Sequence, residues 1–174
     1  AFGLDAHFSI EQTARNVSGS FINFNGTCGV WRKSCIVAAG GWSADTLTED
    51  LDLSYRAQLK GWRFKYLEEI ETPGELPMIM PAIKSQQFRW NKGAAENARK
   101  NFGKVLKDHH LPLKNKVHAF FHLFNSSVFI SLLIAALLSI PMLIIKQNSP
   151  EISWLFDLGI VFIIGFLSIT FFYW

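Results

Sequence analysis

An acidic triplet, Thr48-Glu49-Asp50, is the first place where this sequence could carry out chemistry. It begins a predicted helix over residues 48–59. A carboxylate held at a helix start beside a cleft can accept the proton of an attacking hydroxyl, which would make it a general base. The alternative is structural, because Thr46 and Glu49 have capping-box spacing and acidic residues in a first turn interact favourably with the helix dipole.

A second set of functional groups consists of Gln86, Arg89 and Trp90. Residues three and four apart on a helix lie on one face, so these three side chains would project together. A guanidinium binds phosphate oxygens through paired hydrogen bonds, and an indole offers an apolar plane to a sugar ring. Alone, the pattern also fits an amphipathic helix with a Trp and a long Arg side chain at a membrane surface.

A third motif, Phe24-Asn25-Gly26-Thr27, ends a predicted strand over residues 21–24. Glycine permits close approach of the backbone to a ligand. A tight turn without a ligand is the alternative interpretation.

Alternating helices and strands would position these groups. We predict helices over residues 5–17, 30–39 and 48–59, and strands over residues 21–24 and 62–68. One or two amphipathic helices over residues 83–106 would lie close to a membrane surface. This order of elements is typical of the second half of an α/β domain.

The C-terminal third is apolar. Residues 117–145 contain no Asp, Glu, Lys or Arg, and roughly 20 apolar residues suffice to cross a bilayer. A second apolar stretch is interrupted only by Asp157. We predict spans at about 123–145 and 153–174, the second of them truncated. Lysines before the first span predict that the preceding region is cytoplasmic, at a bacterial inner membrane or an equivalent one.

Cysteine, histidine and net charge exclude several other classes of site. Cys28 and Cys35 match neither a zinc pattern nor a disulfide framework, so we interpret them as free thiols. His118 and His122 share a helical face, and we interpret them as residues of the membrane boundary rather than metal ligands. The net charge of +3 is accounted for by the adjacent membrane, and no nucleic-acid recognition motif accompanies it.

The ordered set of motifs resembles the membrane-embedded glycosyltransferases of family 2, the cellulose, mannan and hyaluronan synthase group. Their pattern is a series of separated aspartates that ends in Gln-x-x-Arg-Trp. The resemblance implies three regions: the C-terminal part of a GT-A (Rossmann-like) catalytic domain over residues 1–82, interface helices over residues 83–116, and a transmembrane region over residues 117–174.

The resemblance also implies roles for the site residues. Asp50 would be the general base, in one motif with Thr48 and Glu49. Gln86 and Arg89 would bind the diphosphate of the donor. The acceptor would be bound by Trp90 together with Phe24, Asn25, Gly26 and Thr27.

Some details favour one branch of that group. Asn25 and Thr27 stand where cellulose synthases have Cys and Ser, so the motif is closer to mannan and glucan synthase-like enzymes. Gly40-Gly41-Trp42 and His7-Phe8 are similar to that branch as well. No chemical role follows for His7.

The metal-binding Asp-x-Asp of the resembling enzymes has no counterpart here. The resemblance implies Mg²⁺ or Mn²⁺ as cofactor, with ligands upstream of Ala1 and no metal in this fragment. We therefore predict that the fragment alone is inactive. The implied partners are a nucleotide-sugar donor, a glycan or lipid acceptor and membrane lipids, whereas the sequence indicates no oligomeric state.

Two alternative functions remain open at the level of sequence. A lipid glycosyltransferase of the ceramide type carries the same Gln-x-x-Arg-Trp motif. A non-catalytic domain could instead be anchored to anionic lipid by a basic amphipathic helix that contains Lys100, Lys104 and Lys107.

Overall fold

The computed structural model describes residues 4, 6–26, 28–149, 151 and 154–173. It divides into two compact units, Ala1–Ser126 and Ser127–Trp174. In the first unit a π-helix (Ala6–Gln12) continues into α1 (Thr13–Ser18), followed by α2 (Lys33–Ala38), α3 (Glu49–Leu59), α4 (Met80–Lys107) and α5 (Leu113–Leu123).

The helix α3 lies at the centre of the first unit and contributes to two apolar cores. On one side the fully buried Tyr55 packs with Phe21 and with residues of α4 and α5, among them Val105 and Leu123. On the other side Leu53 packs with residues of α2. A helix that is buried on both sides is fixed in position, so the residues at its N-terminus are held firmly.

The helix α4 is a single helix of 28 residues, where the sequence predicts one or two helices over residues 83–106. Its start is earlier than predicted because Pro81 lies in the first turn, where its missing N–H costs no hydrogen bond. Only its C-terminal half is packed, since all of its buried residues lie from Gly93 onward. The N-terminal half exposes Phe88 and Trp90.

The two predicted strands have no strand pairing, and the described residues contain no β-strand. In the first segment, residues 21–24, the backbone forms hydrogen bonds with side chains of α3 instead of with a neighbouring strand. The Gln58 amide exchanges two hydrogen bonds with the backbone of Ile22, at 3.0 and 2.7 Å. In the second segment the N–H of Tyr66 donates to Asn16 Oδ1 at 2.8 Å. The described part is therefore mostly helical.

The predicted helix over residues 30–39 is shorter in the structure, where α2 begins at Lys33. Its end is as predicted, because Gly40 and Gly41 have φ values of 89° and 76°. Such values favour glycine and turn the chain away from the helix.

The second unit contains α6 (Ser127–Asn148), α7 (Trp154–Asp157) and α8 (Ile160–Tyr173). At about 1.5 Å per residue, the 22 residues of α6 exceed the roughly 30 Å of a bilayer core. Within the described residues, α6 alone is long and apolar enough to cross a membrane. It begins a few residues later than the predicted span at 123–145. The predicted span at 153–174 stays a prediction.

Candidate functional site

The N-terminus of α3 holds the acidic triplet in a defined arrangement. Thr48 is the N-cap and Glu49 is the first helical residue. Asp50 accepts one hydrogen bond at each carboxylate oxygen: Oδ1 from the backbone N–H of Leu51 at 2.8 Å, and Oδ2 from that of Gly26 at 2.9 Å. Two backbone donors therefore fix the direction in which this carboxylate points.

The capping box suggested by the sequence is not formed. The Thr46 hydroxyl donates to the carbonyl of Thr48 at 3.3 Å, and the N-cap is Thr48 rather than Thr46. Glu49 is exposed and accepts no hydrogen bond within the described part of the chain. A purely structural role thus explains Glu49 less well than the sequence suggested.

The surroundings of Asp50 raise its pKa. Burial of the carboxyl is the main cause, and the negative charge of Glu49 adds to it. The hydrogen bonds from Leu51 and Gly26 act in the opposite direction. A carboxylate with a raised pKa is a better proton acceptor, as general-base catalysis requires.

The turn at Phe24 and Gly26 lies directly against this carboxylate. The N–H of Phe24 donates to the Ser54 hydroxyl of α3 at 2.9 Å. Gly26 has a φ of 63°, a value that favours glycine, and its N–H points at Asp50. Two motifs that are separate in sequence therefore meet at one carboxylate.

Asn25 also belongs to this turn, and its Oδ1 accepts a hydrogen bond from Asn23 Nδ2 at 2.6 Å. Thr27, the last predicted residue of the motif, lies outside the described residues.

Gln86, Arg89 and Trp90 lie on the less packed N-terminal half of α4. Gln86 is half-buried, whereas Arg89 and Trp90 are exposed. Gly93 follows on the same helical face and lies against Thr48: a Cβ at this glycine would be 2.5 Å from the Thr48 side chain. The absence of a side chain at Gly93 therefore lets α4 approach the start of α3.

Asn97 holds α4 against the start of α3. Its fully buried amide donates to the carbonyl of Thr48 at 3.2 Å, to the hydroxyl of Thr48 at 3.0 Å and to the carbonyl of Gly93 at 3.1 Å. No hydrogen bond or ion pair joins Arg89 to Asp50 in the described residues. The two motifs thus lie on neighbouring, interlocked helices without direct polar contact.

Asp52 is the centre of a buried polar network that sequence reasoning missed. It is fully buried and accepts hydrogen bonds from Arg56 Nε at 2.9 Å, Asn101 Nδ2 at 2.8 Å and Lys100 Nζ at 3.0 Å. Burial by itself would raise its pKa, but these donors together hold the pKa below its ordinary value. Asp52 is therefore an anchor between α3 and α4 rather than a second base.

The sequence contained signals for this network. Asp52 and Arg56 have the spacing of an ion pair on a helix, as do Asn97 and Asn101 for a hydrogen bond. Arg56 also donates to the carbonyl of Gly41 at 2.8 Å. The network thus extends from α4 through α3 to the end of α2.

A second polar cluster surrounds His122, which is half-buried within the first unit. Its Nε2 lies 3.1 Å from Arg15 Nη1 and its Nδ1 lies 2.8 Å from the Tyr55 hydroxyl. Arg15 can only donate, so Nε2 accepts and the proton is on Nδ1. Burial and the charge of Arg15 lower the pKa of His122 well below its usual value.

The partners of His122 come from within the protein, and its location at the membrane boundary stays a prediction. His118 is half-buried on the same helix, and burial lowers its pKa too. His7 Nδ1 contacts Glu11 Oε2 at 3.1 Å, and no chemical role follows from this contact.

A metal site does not emerge from the described part of the chain, where no group of three or more His, Cys, Asp or Glu side chains could hold an ion. The carboxylates nearest the proposed site have other partners: Asp50 accepts backbone N–H groups, and Asp52 accepts cationic and amide donors. These residues do not fit a resident divalent cation.

Comparison with known families gives one match over nearly the whole chain. The model described as "Glycosyl transferase family group 2" matches residues 2–174. No solved structure matches the chain.

Similar curated proteins come from plants. Glucomannan 4-beta-mannosyltransferase 1 of Oryza sativa subsp. japonica is 40% identical over 121 residues, which are 70% of this chain and 23% of that protein. Probable glucomannan 4-beta-mannosyltransferase 4 of the same organism is 44% identical over 70% of this chain and 22% of its own length. Glucomannan 4-beta-mannosyltransferase 7 of Arabidopsis thaliana is 40% identical over 70% of this chain and 22% of its own length. The matched segment thus spans less than a quarter of each relative.

Proposed function

Because the chain belongs to glycosyl transferase family group 2, we propose that it is part of a membrane-bound inverting glycosyltransferase. The enzyme would transfer a sugar from a nucleotide-sugar donor to a growing β-glycan. The names of the similar plant proteins support mannose as the sugar and a β-1,4-linked chain as the acceptor.

The orientation of Asp50 carries this proposal. Its half-buried carboxylate is held between the start of α3 and the Gly26 turn, and its surroundings raise its pKa. In the proposed step Asp50 takes the proton of an acceptor hydroxyl as that oxygen attacks the anomeric carbon. The bond from that carbon to the diphosphate breaks, and the configuration inverts.

The face of α4 with Gln86, Arg89 and Trp90 would bind the reactants beside Asp50. The Arg89 guanidinium would neutralise the departing diphosphate, and Gln86 would donate a hydrogen bond to it. Trp90 would stack on the acceptor. Gly93 and Asn97 support this assignment, since they hold this helix against the start of α3.

Phe24, Asn25, Gly26 and Thr27 would complete the acceptor site. The contact between Gly26 and Asp50 supports this role for the turn. Mg²⁺ or Mn²⁺ would supply further charge neutralisation of the diphosphate, held by residues other than those described here.

The finer fold assignment is also part of the proposal. Residues 1–82 would complete a GT-A α/β domain, in which the segments at 21–24 and 62–68 act as strands. Residues 83–116 would form interface helices, and residues 117–174 the membrane region. The length and apolar character of α6 support a membrane location.

The non-catalytic alternative, an anchor to anionic lipid, is weakened by the contacts of its lysines. Lys100 is paired with Asp45 at 2.7 Å and with Asp52 at 3.0 Å, and Lys104 donates to Asn101 at 2.9 Å. A lysine that is held in such contacts is less available to lipid headgroups.

The test uses the full-length protein in membrane vesicles, supplied with radiolabelled GDP-mannose or UDP-glucose and with Mg²⁺ or Mn²⁺. Label in an alcohol-insoluble polymer that a β-mannanase digests is the expected result. Label confined to the lipid extract would favour the lipid glycosyltransferase. Transfer from neither donor, nor from other nucleotide sugars, would contradict the proposed function.

A further inference from the structure

A shallow cavity of about 340 Å³ lies beside the acidic triplet. Its lining consists of Trp42, Ser43, Ala44, Thr46, Leu47 and Glu49. Pockets for small ligands begin at about 300 Å³. The cavity is therefore of a size for one sugar ring rather than for a whole nucleotide sugar.

The loop that forms the cavity is held firmly at several points. The backbone N–H of Leu47 donates to Glu96 Oε2 at 2.8 Å, and Asp45 is paired with Lys100 at 2.7 Å. Before the loop, the turn at Gly41 is held by the hydrogen bond from Arg56 at 2.8 Å. Contacts from α3 and α4 thus give this loop a fixed shape.

Trp42 has the exposure and the neighbours of a stacking residue. It is 51% exposed, although it is one of the largest apolar side chains in the unit. Its ring contacts Trp31 with centroids 6.1 Å apart, and Trp31 in turn contacts Phe24 at 5.2 Å. A row of aromatic rings therefore connects the cavity to the turn that lies against Asp50.

Glu49 supplies the polar group. Its carboxylate is exposed, lines the cavity and has no hydrogen-bond donor in the described part of the chain. A free carboxylate beside an indole is a combination suited to a pyranose, whose hydroxyls donate to the carboxylate while its C–H face packs on the ring.

The charge of the cavity distinguishes the neutral sugar of the acceptor from the negatively charged nucleotide donor. Among the residues that line the cavity, Glu49 carries the charge, and its negative charge repels a diphosphate. The positive charge of Arg89 lies on a different element, in α4. A neutral sugar of the acceptor fits the cavity, whereas the nucleotide donor does not.

We propose that the cavity between Trp42 and Glu49 is a binding subsite for one pyranose ring of the β-glycan acceptor. It would hold a sugar next to the one whose hydroxyl is presented to Asp50, because Glu49 and Asp50 are consecutive at the start of α3. The inference rests on the proposed function, to which it adds a second contact for the acceptor.

The test measures binding without turnover. Full-length protein in lipid nanodiscs is titrated with mannohexaose or cellohexaose, and binding is followed by saturation-transfer NMR. Trp42→Ala is expected to weaken oligosaccharide binding by about tenfold, the loss expected for one stacking contact. Trp42→Phe should have a smaller effect, and Glu49→Gln should weaken binding severalfold. UDP and GDP affinity should not change in any variant.

Glu71→Gln is the matched control, since Glu71 is exposed and does not line the cavity. Three results would overturn the subsite: no binding of either oligosaccharide to the wild type, equal binding in wild type and both Trp42 variants, or a parallel loss of nucleotide affinity. Trp42→Phe and Glu49→Gln decide the question if Trp42→Ala does not fold. Failure of sugar transfer in the vesicle assay is a separate result, which contradicts the proposed function and not the binding.

Discussion

At the scale of single residues, environment separates two carboxylates that look equivalent in the sequence. Asp50 is oriented by two backbone N–H groups and its pKa is raised. Asp52 is fully buried among Arg56, Lys100 and Asn101, and its pKa is lowered. The first is thereby the better proton acceptor, whereas the second is held ionised by its donors and joins two helices.

His122 should make the folded state sensitive to acid. Its folded pKa is lowered, while an unfolded histidine takes up a proton below about pH 6.5. The unfolded state thus binds more protons in that range, so this contribution to stability is full above about pH 6.5 and is lost as the pH falls. Thermal unfolding of the full-length protein, followed between about pH 8 and pH 5, should show this loss.

His122→Gln should lower the unfolding temperature but flatten its dependence on pH. His110→Gln, at an exposed histidine, should leave that dependence as in the wild type. An equally steep pH dependence after His122→Gln would mean that another group causes it.

At the scale of elements, hydrophobic patterning predicted the helices well and the strands poorly. The predicted helix at 48–59 differs from α3 by one residue. The segments at 21–24 and 62–68 contain no strand, and polar side chains such as Gln58 and Asn16 bind their backbone. Alternation of side chains indicates extended backbone, but it does not reveal which group will pair with that backbone.

The candidate site residues could be named from the sequence, but their arrangement could not. The motifs identified Asp50 and Gly26 separately, and only the fold shows that they share a hydrogen bond. Gly93 and Asn97 were missed, because their role depends on where α4 crosses the start of α3.

Because α4 lies close against the start of α3, replacement of glycine by alanine should have opposite effects on stability at two positions of α4. Gly93→Ala would place a Cβ 2.5 Å from Thr48 and should lower the unfolding free energy by ~1–3 kcal/mol. Sugar transfer should fall as well, because the start of α3 would shift. Gly103→Ala on the same helix meets no atom within 4 Å and should stabilise the protein by ~0.5–1 kcal/mol. Chemical denaturation and transfer assays of both variants provide the measurement, and equal effects at the two positions would contradict this packing.

At the scale of the whole molecule, the chain contains a helical unit with the candidate site and a second unit whose described residues include one helix long and apolar enough to span a membrane. Lysines at positions 100, 104, 107, 114 and 116 precede α6. The positive-inside rule therefore predicts that the candidate site faces the cytosol, where nucleotide sugars are available.

Reporter fusions test this orientation. Green fluorescent protein matures in the cytosol, and alkaline phosphatase is active only after export. A fusion after Lys107 should give fluorescence without phosphatase activity, whereas a fusion after Asn148 should give phosphatase activity. The same cytosolic signal from both fusions would show that α6 does not cross the membrane.

The general-base role of Asp50 is tested most directly by Asp50→Asn in the full-length enzyme. Loss of the proton acceptor should reduce sugar transfer at least about a hundredfold, while the affinity for the nucleotide-sugar donor stays within about twofold of the wild type. Asp108→Asn, whose side chain only accepts the N–H of His110, should leave both quantities unchanged. Near-normal transfer by Asp50→Asn would contradict the assignment of Asp50 as the base.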